Sequence, residues 1–345
     1  MHIGKKEALQ KITVYSLCHC GIDFLCAFSL YRSFQAYPDV FLLYNYCAFA
    51  LQMPVGILID SWSRKSGRMF YPALVFMIAG TVLTAVGSFL SPIVLGLGNA
   101  LFHAGGGVLT IHEDDLSGLK GSGLGIFVAP GAIGLTLGML AHDTKWYSTI
   151  QILICIGLLI LAYLSYKNRR ELKTEYKAPI LKNRKIPYLI LCCFTVVVLR
   201  SLTGMAIGFP WKDSSLNIFL ATLFLACGKT AGGLLAARFG MKKTILVTLV
   251  LSAFFYVFAH EMVPGLLALF LFNMTRPLTL YLLAGKMPQM PGFAFGILTF
   301  GLFLGYLPVL YGMMRNLSPF PFGTVASLIS LIILLLAVSL GEDNE

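Results

Sequence analysis

Long apolar runs, separated by short charged or glycine-rich pieces, repeat along the whole chain. Runs of roughly twenty residues, the length that crosses a bilayer, fall at 11–32, 38–60, 69–89, 91–113, 122–142 and 146–166. A hydrophilic stretch from Lys167 to Pro187 interrupts the series. Six more runs follow, at 188–209, 214–237, 244–260, 262–284, 291–314 and 321–341. The pattern predicts an all-α membrane protein of twelve transmembrane helices in two six-helix bundles. One bundle covers 1–166, a basic linker covers 167–187, and the second bundle covers 188–345.

Composition agrees. Hydrophobic residues make up 57% of the chain and charged residues 12%, against about 25% charged in a soluble domain. The spans leave no room for a soluble domain of useful size. A net charge of +11 would point to nucleic acid in a soluble protein; in a membrane protein the position of the charge matters instead. With both termini in the cytoplasm, only Arg32, Lys145, Lys212 and Arg315 fall on outside loops. Every other lysine or arginine outside the spans then lies on the inner side, which predicts cytoplasmic termini. The linker's basic residues suit an anionic inner leaflet. His19 and Asp23 in the first run, with no small-residue cleavage pattern after it, argue against a removable signal peptide. Asn316-Leu317-Ser318 is a formal glycosylation sequon, but nothing else points to a eukaryotic secretory protein, and a bacterial inner membrane is the expected location. Cys18-His19-Cys20 does not read as a metal cluster, because successive helical residues point ~100° apart. No metal or cofactor is expected.

The two halves repeat. Gly56-Ile57-Leu58-Ile59-Asp60-Ser61-Trp62-Ser63-Arg64-Lys65 closes the second run as a charged turn. Gly233 to Lys243, through Arg238 and Gly240, has the same layout 177 residues later. Gly125 and Gly296, each inside a glycine-rich helix start, are 171 apart. Duplicated bundles of this kind hold their site at the interface between them.

These residues resemble the major facilitator superfamily, whose signature after the second span is Gly-x-x-x-Asp-Arg-x-Gly-Arg-Lys. Gly56, Asp60, Arg64 and Lys65 match the first copy, with Ser61 and Ser63 departing from it. Gly233, Arg238, Gly240, Lys242 and Lys243 match the second, with Ala237 in place of the acid. The resemblance implies a latch between neighbouring helices on the cytoplasmic side that breaks as the halves rock. Within the superfamily, His19-x-x-x-Asp23, Phe102-His103 followed by glycines, and Leu199-Arg200-Ser201 before Phe209-Pro210 look most like the fosmidomycin-resistance type of exporter. Gly105 stands where that group often has an acid.

Ionisable residues inside a bilayer cost ~2.5–3.5 kcal/mol each on insertion scales and are functional candidates by default. Tyr15, His19 and Asp23 share one helical face, and Asn99, His103, Gly106, Thr110 and Glu113 form a polar stripe on the fourth span. His19, Asp23 and His103 are therefore candidates for taking up and releasing a proton; the competing role is polar glue between helices. Glu113, beside His112, Asp114 and Asp115, reads as a solvated charge at the cytoplasmic end. Arg200 and Arg276 would fork onto carboxylate or phosphate oxygens, or Arg276 would pair with Asp23. Lys229 reads as a lysine snorkelling to the interface.

Gly121-Ser122-Gly123-Leu124-Gly125 lacks the strand and lysine of a phosphate loop, and His112-Glu113 lacks the second histidine of a zinc protease. The expectation is a monomeric secondary transporter in the lipid bilayer that exports a small anionic solute by proton antiport, with no nucleic acid partner. The alternatives are a carrier of neutral or lipophilic compounds and, further off, an embedded enzyme or receptor.

Overall fold

A computed structural model describes residues 4–173 and 184–342. Its helices follow the apolar runs: α1 Lys5–Phe34, α2 Pro38–Ser66, α3 Tyr71–Leu90, α4 Pro92–Ser117, α5 Ser122–Ala141 and α6 Tyr147–Lys167. After the linker come α7 Ile186–Ala206, α8 Ser215–Phe239, α9 Met241–Val257, α10 Met262–Lys286, α11 Pro291–Leu310 and α12 Pro319–Gly341. Eleven of these are long and apolar enough to cross a membrane. The remaining one, α9, has 17 residues and packs along α12 and α10. Linker residues 174–183 lie outside the described residues.

Within the first half α1 lies against α5, α4 and α6, and α3 runs along α4; within the second, α11 packs on α7 and α8 on α10. The halves meet through α2 against α11 and α5 against α8. The start of α1 and the end of α12 lie on one face, called the termini face: Glu7 pairs with Arg170 at the linker's start, and Lys286 packs on Gly341.

Among the described residues three spans are interrupted in their middle, each near a proline, and α12 is kinked in its first turn at Phe320, before Pro321. A proline lacks an N–H and its ring crowds the carbonyl four residues earlier. In α2 the ring of Pro54 is accommodated by a wider π turn at Tyr46–Ala50. In α5 the helix breaks between Val128 and Pro130, and in α10 between Asn273 and Thr275, just before Pro277.

The charged segment after Gly56 is not a turn. Residues 56–65 continue α2 as helix, and the chain reverses at Gly67, whose φ of 63° is left-handed. The second copy behaves alike: α8 runs through Arg238 to Phe239 and stops at Gly240, φ 89°. Side-chain charge does not end a helix, whereas a residue free to adopt positive φ does.

Candidate functional site

The break in α5 builds the first part of the site. With the ladder interrupted at Pro130, the carbonyls of Ile126 and Phe127 turn toward α1. Ser16 donates to Ile126 at 3.3 Å, and Nδ1 of His19 sits 2.8 Å from the Phe127 oxygen. Nε2 of His19 then lies 3.2 Å from one oxygen of Asp23, one turn along the same helix. Nε2 of His103 on α4 approaches the other oxygen at 3.5 Å, while its Nδ1 faces the Asn99 carbonyl at 2.9 Å. The Asn99 amide completes the shell, donating to Asp23 at 3.2 Å. Gly131 of α5 is required here, because a Cβ would run into His19 and Asp23.

His19, Asp23 and His103 thus form one buried cluster, with ring centroids of the histidines 4.4 Å apart. Three ligand atoms fall within 4.8 Å of one another, a spacing that a cation could bridge, but each of them already stands at hydrogen-bonding range from another. The remainder of the α4 stripe is buried as well, and Thr110 is satisfied by its own helix.

Among the described residues, the interior of the second half's spans carries cations without acids. Arg200 on α7 is 7% exposed and its Nε has no partner. Arg276 sits in the first turn of the second segment of α10, and Lys229 on α8 is 6% exposed. Among the described residues none of the three has a carboxylate within ion-pair distance. Arg276 does not pair with Asp23, whose oxygens are occupied by the histidines and Asn99, although the two are close enough to feel one another's charge. Lys229 likewise senses Arg276, Arg200 and Asp23, and does not snorkel to the surface. Arg200 and Arg276 line a cavity of about 20 Å³ with Val128, Thr279 and Thr299. That holds a water molecule; a drug-sized ligand occupies about 300 Å³ or more.

Lys229 is the residue that sequence reasoning undervalued. A signal was available: it stands 177 residues after Gln52, the offset relating Gly56 to Gly233. Gln52 is fully buried and leaves its carbonyl oxygen without a partner. The repeat therefore marks Lys229 as a buried polar position.

At the termini face, Asp60 of α2 crosses to the other half. Its oxygens accept the main-chain N–H groups of Gly292 at 2.9 Å and Phe293 at 2.8 Å, in the first turn of α11. Gly56 and Gly292 meet backbone to backbone, where any Cβ would strike the facing carbonyl. Gly233 packs in the same way on the Gly121 carbonyl. Arg64 and Lys65 make no ion pair among the described residues; Arg238 lies over the ring of Phe239 at 5.3 Å.

Glu113 is not a solvated charge. It is fully buried, and Arg170 holds it in a fork at 3.1 and 3.2 Å while Lys11 stands at 3.6 Å. Lys11 and Arg170 of this network line a cavity of about 580 Å³ between α1 and α6 at the termini face. The network ties the start of the linker to the first half.

No protein-family model matches the sequence, and no curated protein matches it. Solved structures do. The E. coli fucose:proton symporter FucP aligns over 96% of this chain and 98% of its own, with TM-score 0.65 and 12% identity. The human organic anion transporter MFSD10 covers 97% and 100% with TM-score 0.65 and 15% identity. A bacterial homologue of the iron transporter ferroportin, in an outward-facing state, covers 98% of both chains with TM-score 0.59 and 14% identity. The described residues have the major facilitator fold, an all-α arrangement of twelve helices. The resemblance to the fosmidomycin-resistance type finds no counterpart among these neighbours.

Proposed function

We propose that the protein is a secondary active transporter that moves a small anionic organic solute by alternating access. One observation carries this: Arg200, Arg276 and Lys229 lie close enough inside the spans to feel one another's charge, and among the described residues no acid stands within ion-pair distance of any of them. Unpaired cations in a membrane interior are costly, and an anion arriving between the halves offsets that cost with charge-assisted hydrogen bonds. The interrupted α10 adds to it, since the second segment starts beside Arg276 and a half-helix start attracts negative charge. His19, Asp23 and His103 form the proton-coupling side of the same cavity. Gly56, Asp60, Arg64 and Lys65, with Gly233, Arg238 and Gly240, form the gate, closed in this conformation by the bonds from Asp60 to α11.

The lysine and arginine asymmetry supports a cytoplasmic termini face, in a bacterial inner membrane. The pathway lies between the halves of one chain, which supports a monomer as the working unit. In proteoliposomes, Arg276→Ala or Arg200→Ala is expected to abolish saturable uptake of organic anions. Unchanged affinity and rate in both variants would remove the anion site.

A further inference from the structure

The hydrogen-bond polarity of the histidine cluster bears on the sign of coupling. A neutral imidazole carries one N–H. Nδ1 of both His19 and His103 faces a main-chain carbonyl, which only accepts, so each Nδ1 carries its ring's proton. Both Nε2 atoms are then bare in the neutral rings, yet both face oxygens of Asp23 at 3.2 and 3.5 Å. Two lone pairs at that range repel. A proton placed on the Nε2 or on the carboxyl oxygen turns each contact into a hydrogen bond. The arrangement is that of a cluster holding at least one proton beyond those of an ionised Asp23 and two neutral histidines.

Charge then links this proton to the solute. Asp23 is faced by His19, Cys20 and Cys26 on its own helix, by Asn99 and His103 on α4, and by Tyr44 of α2 beyond Cys26. Across the interface Lys229 and Arg276 are close enough to feel its charge, and Arg200 is close enough to feel theirs. Without its proton the cluster is negative and serves as the internal counter-charge of those cations. Taking up the proton removes that counter-charge and leaves the cations to an external anion. A bound anion in turn repels the ionised Asp23 and favours the protonated cluster. By reciprocity, whatever the proton does to anion affinity, the anion does to proton affinity. Both changes have the same sign.

From this geometry we infer that the protein is a proton–anion symporter, in which proton and solute occupy the cavity together and cross together. Antiport needs the opposite sign, a proton that expels the solute, which this charge arrangement gives for a cation and not for an anion. The inference rests on the anion reading of the site and reverses the efflux direction drawn from resemblance. An inward proton gradient drives uptake.

The test uses the purified full chain in a weakly buffered detergent solution with a pH indicator. Benzoate, succinate and sulfate serve as probes between about pH 7 and 8, where carboxylate and sulfate probes stay ionised. Binding is followed by thermal shift. The expected result, above the pH at which the empty cluster gives up its extra proton, is proton uptake on binding that rises toward one per anion, with apparent affinity tightening by up to about tenfold for each pH unit lowered over that range. Proton uptake per bound anion should fall in Asp23→Asn, and in His19→Gln as a second variant. In proteoliposomes, acid outside should drive accumulation of the bound probe. Proton release on binding, or an affinity for the bound probe that stays unchanged or weakens as pH is lowered, overturns symport and leaves the anion site standing. Binding of none of the three probes overturns both readings.

Discussion

Asp60 and Asp114 do the same local chemistry in opposite relations to the fold. Each is a buried carboxylate that accepts two main-chain N–H groups in the opening turn of a helix. Asp114 takes Gly121 and Gly123 at 2.7 Å each, at the start of α5, within its own half. Asp60 takes Gly292 and Phe293 at the start of α11, in the other half. Both are favoured by the first N–H groups of a helix, which have no partner inside it, and by the dipole. The difference lies in what must move to break them. The Asp114 bonds survive any rocking of the halves; the Asp60 bonds survive only while α2 and α11 stay together.

The duplication makes the pattern sharper. Ala237 stands 177 positions after Asp60, and Gly285 stands 171 after Asp114, the offsets that relate Gly56 to Gly233 and Gly121 to Gly292. The second half thus has neither acid. The start of α5 is capped from inside, and the start of α11 only from across the interface. A helix start with a permanent cap leaves nothing for a second acid to do, whereas one without it gives the opposite half a breakable handle.

The comparison fails or holds on three substitutions. The largest effect is expected from Asp114→Ala, which strands two buried N–H groups at a helix start. Charge-assisted bonds contribute about 1.5–3 kcal/mol each, so the loss should be about 3–5 kcal/mol and appear as a lower melting temperature and poor recovery of folded protein. The loss should not depend on the transport state. A variant that melts like the parent would show that α5 does not need its cap.

Asp60→Asn comes next. The amide keeps one acceptor but loses the charge, which should cost about 1–2 kcal/mol of the closed arrangement, or about a 5–30-fold shift in population. Distances between spin labels on the termini-face ends of α2 and α11 should lengthen in that proportion, with the melting temperature little changed. A fall in melting temperature without any change in those distances would make Asp60 a structural cap and end the gate reading.

Much of this frame is legible in the sequence. Twenty-residue apolar runs mark the spans, and the glycines at 56, 233, 125 and 296 mark the close contacts between halves. The candidates His19, Asp23 and His103 do come together, because spacings of four keep one helical face and the α5 proline turns carbonyls toward it. What pairing does with each charge is not legible. Glu113 and Arg170 are 57 residues apart across two helices, and no local pattern announces their fork. Asp60 reads as the end of an apolar run in a charged turn, although the helix continues to Ser66 and aims the carboxylate at α11. The missing ion pair of Arg276 depends on histidines and an asparagine from two other helices saturating Asp23 first.

The smallest expected effect is the most discriminating. Ala237→Asp restores the acid that the second copy lacks, one turn beyond Gly233, where α8 lies on the start of α5. If an acid on a gate helix were sufficient for latching, this variant would hold α8 to α5 as Asp60 holds α2 to α11, and the closed population would rise. The donors it would need are Gly121 and Gly123, and Asp114 already occupies both. A third carboxylate oxygen there gains no N–H and stands near a like charge. The expected change is therefore within about 0.5 kcal/mol, the range of surface substitutions that touch no special feature, and label distances between α5 and α8 should not move. Combining Ala237→Asp with Asp114→Asn frees one donor, and the pair should recover part of the stability lost in Asp114→Asn alone. Closure by the single Ala237→Asp variant, comparable to what Asp60 supplies, would mean that helix dipoles rather than particular N–H groups hold the gate.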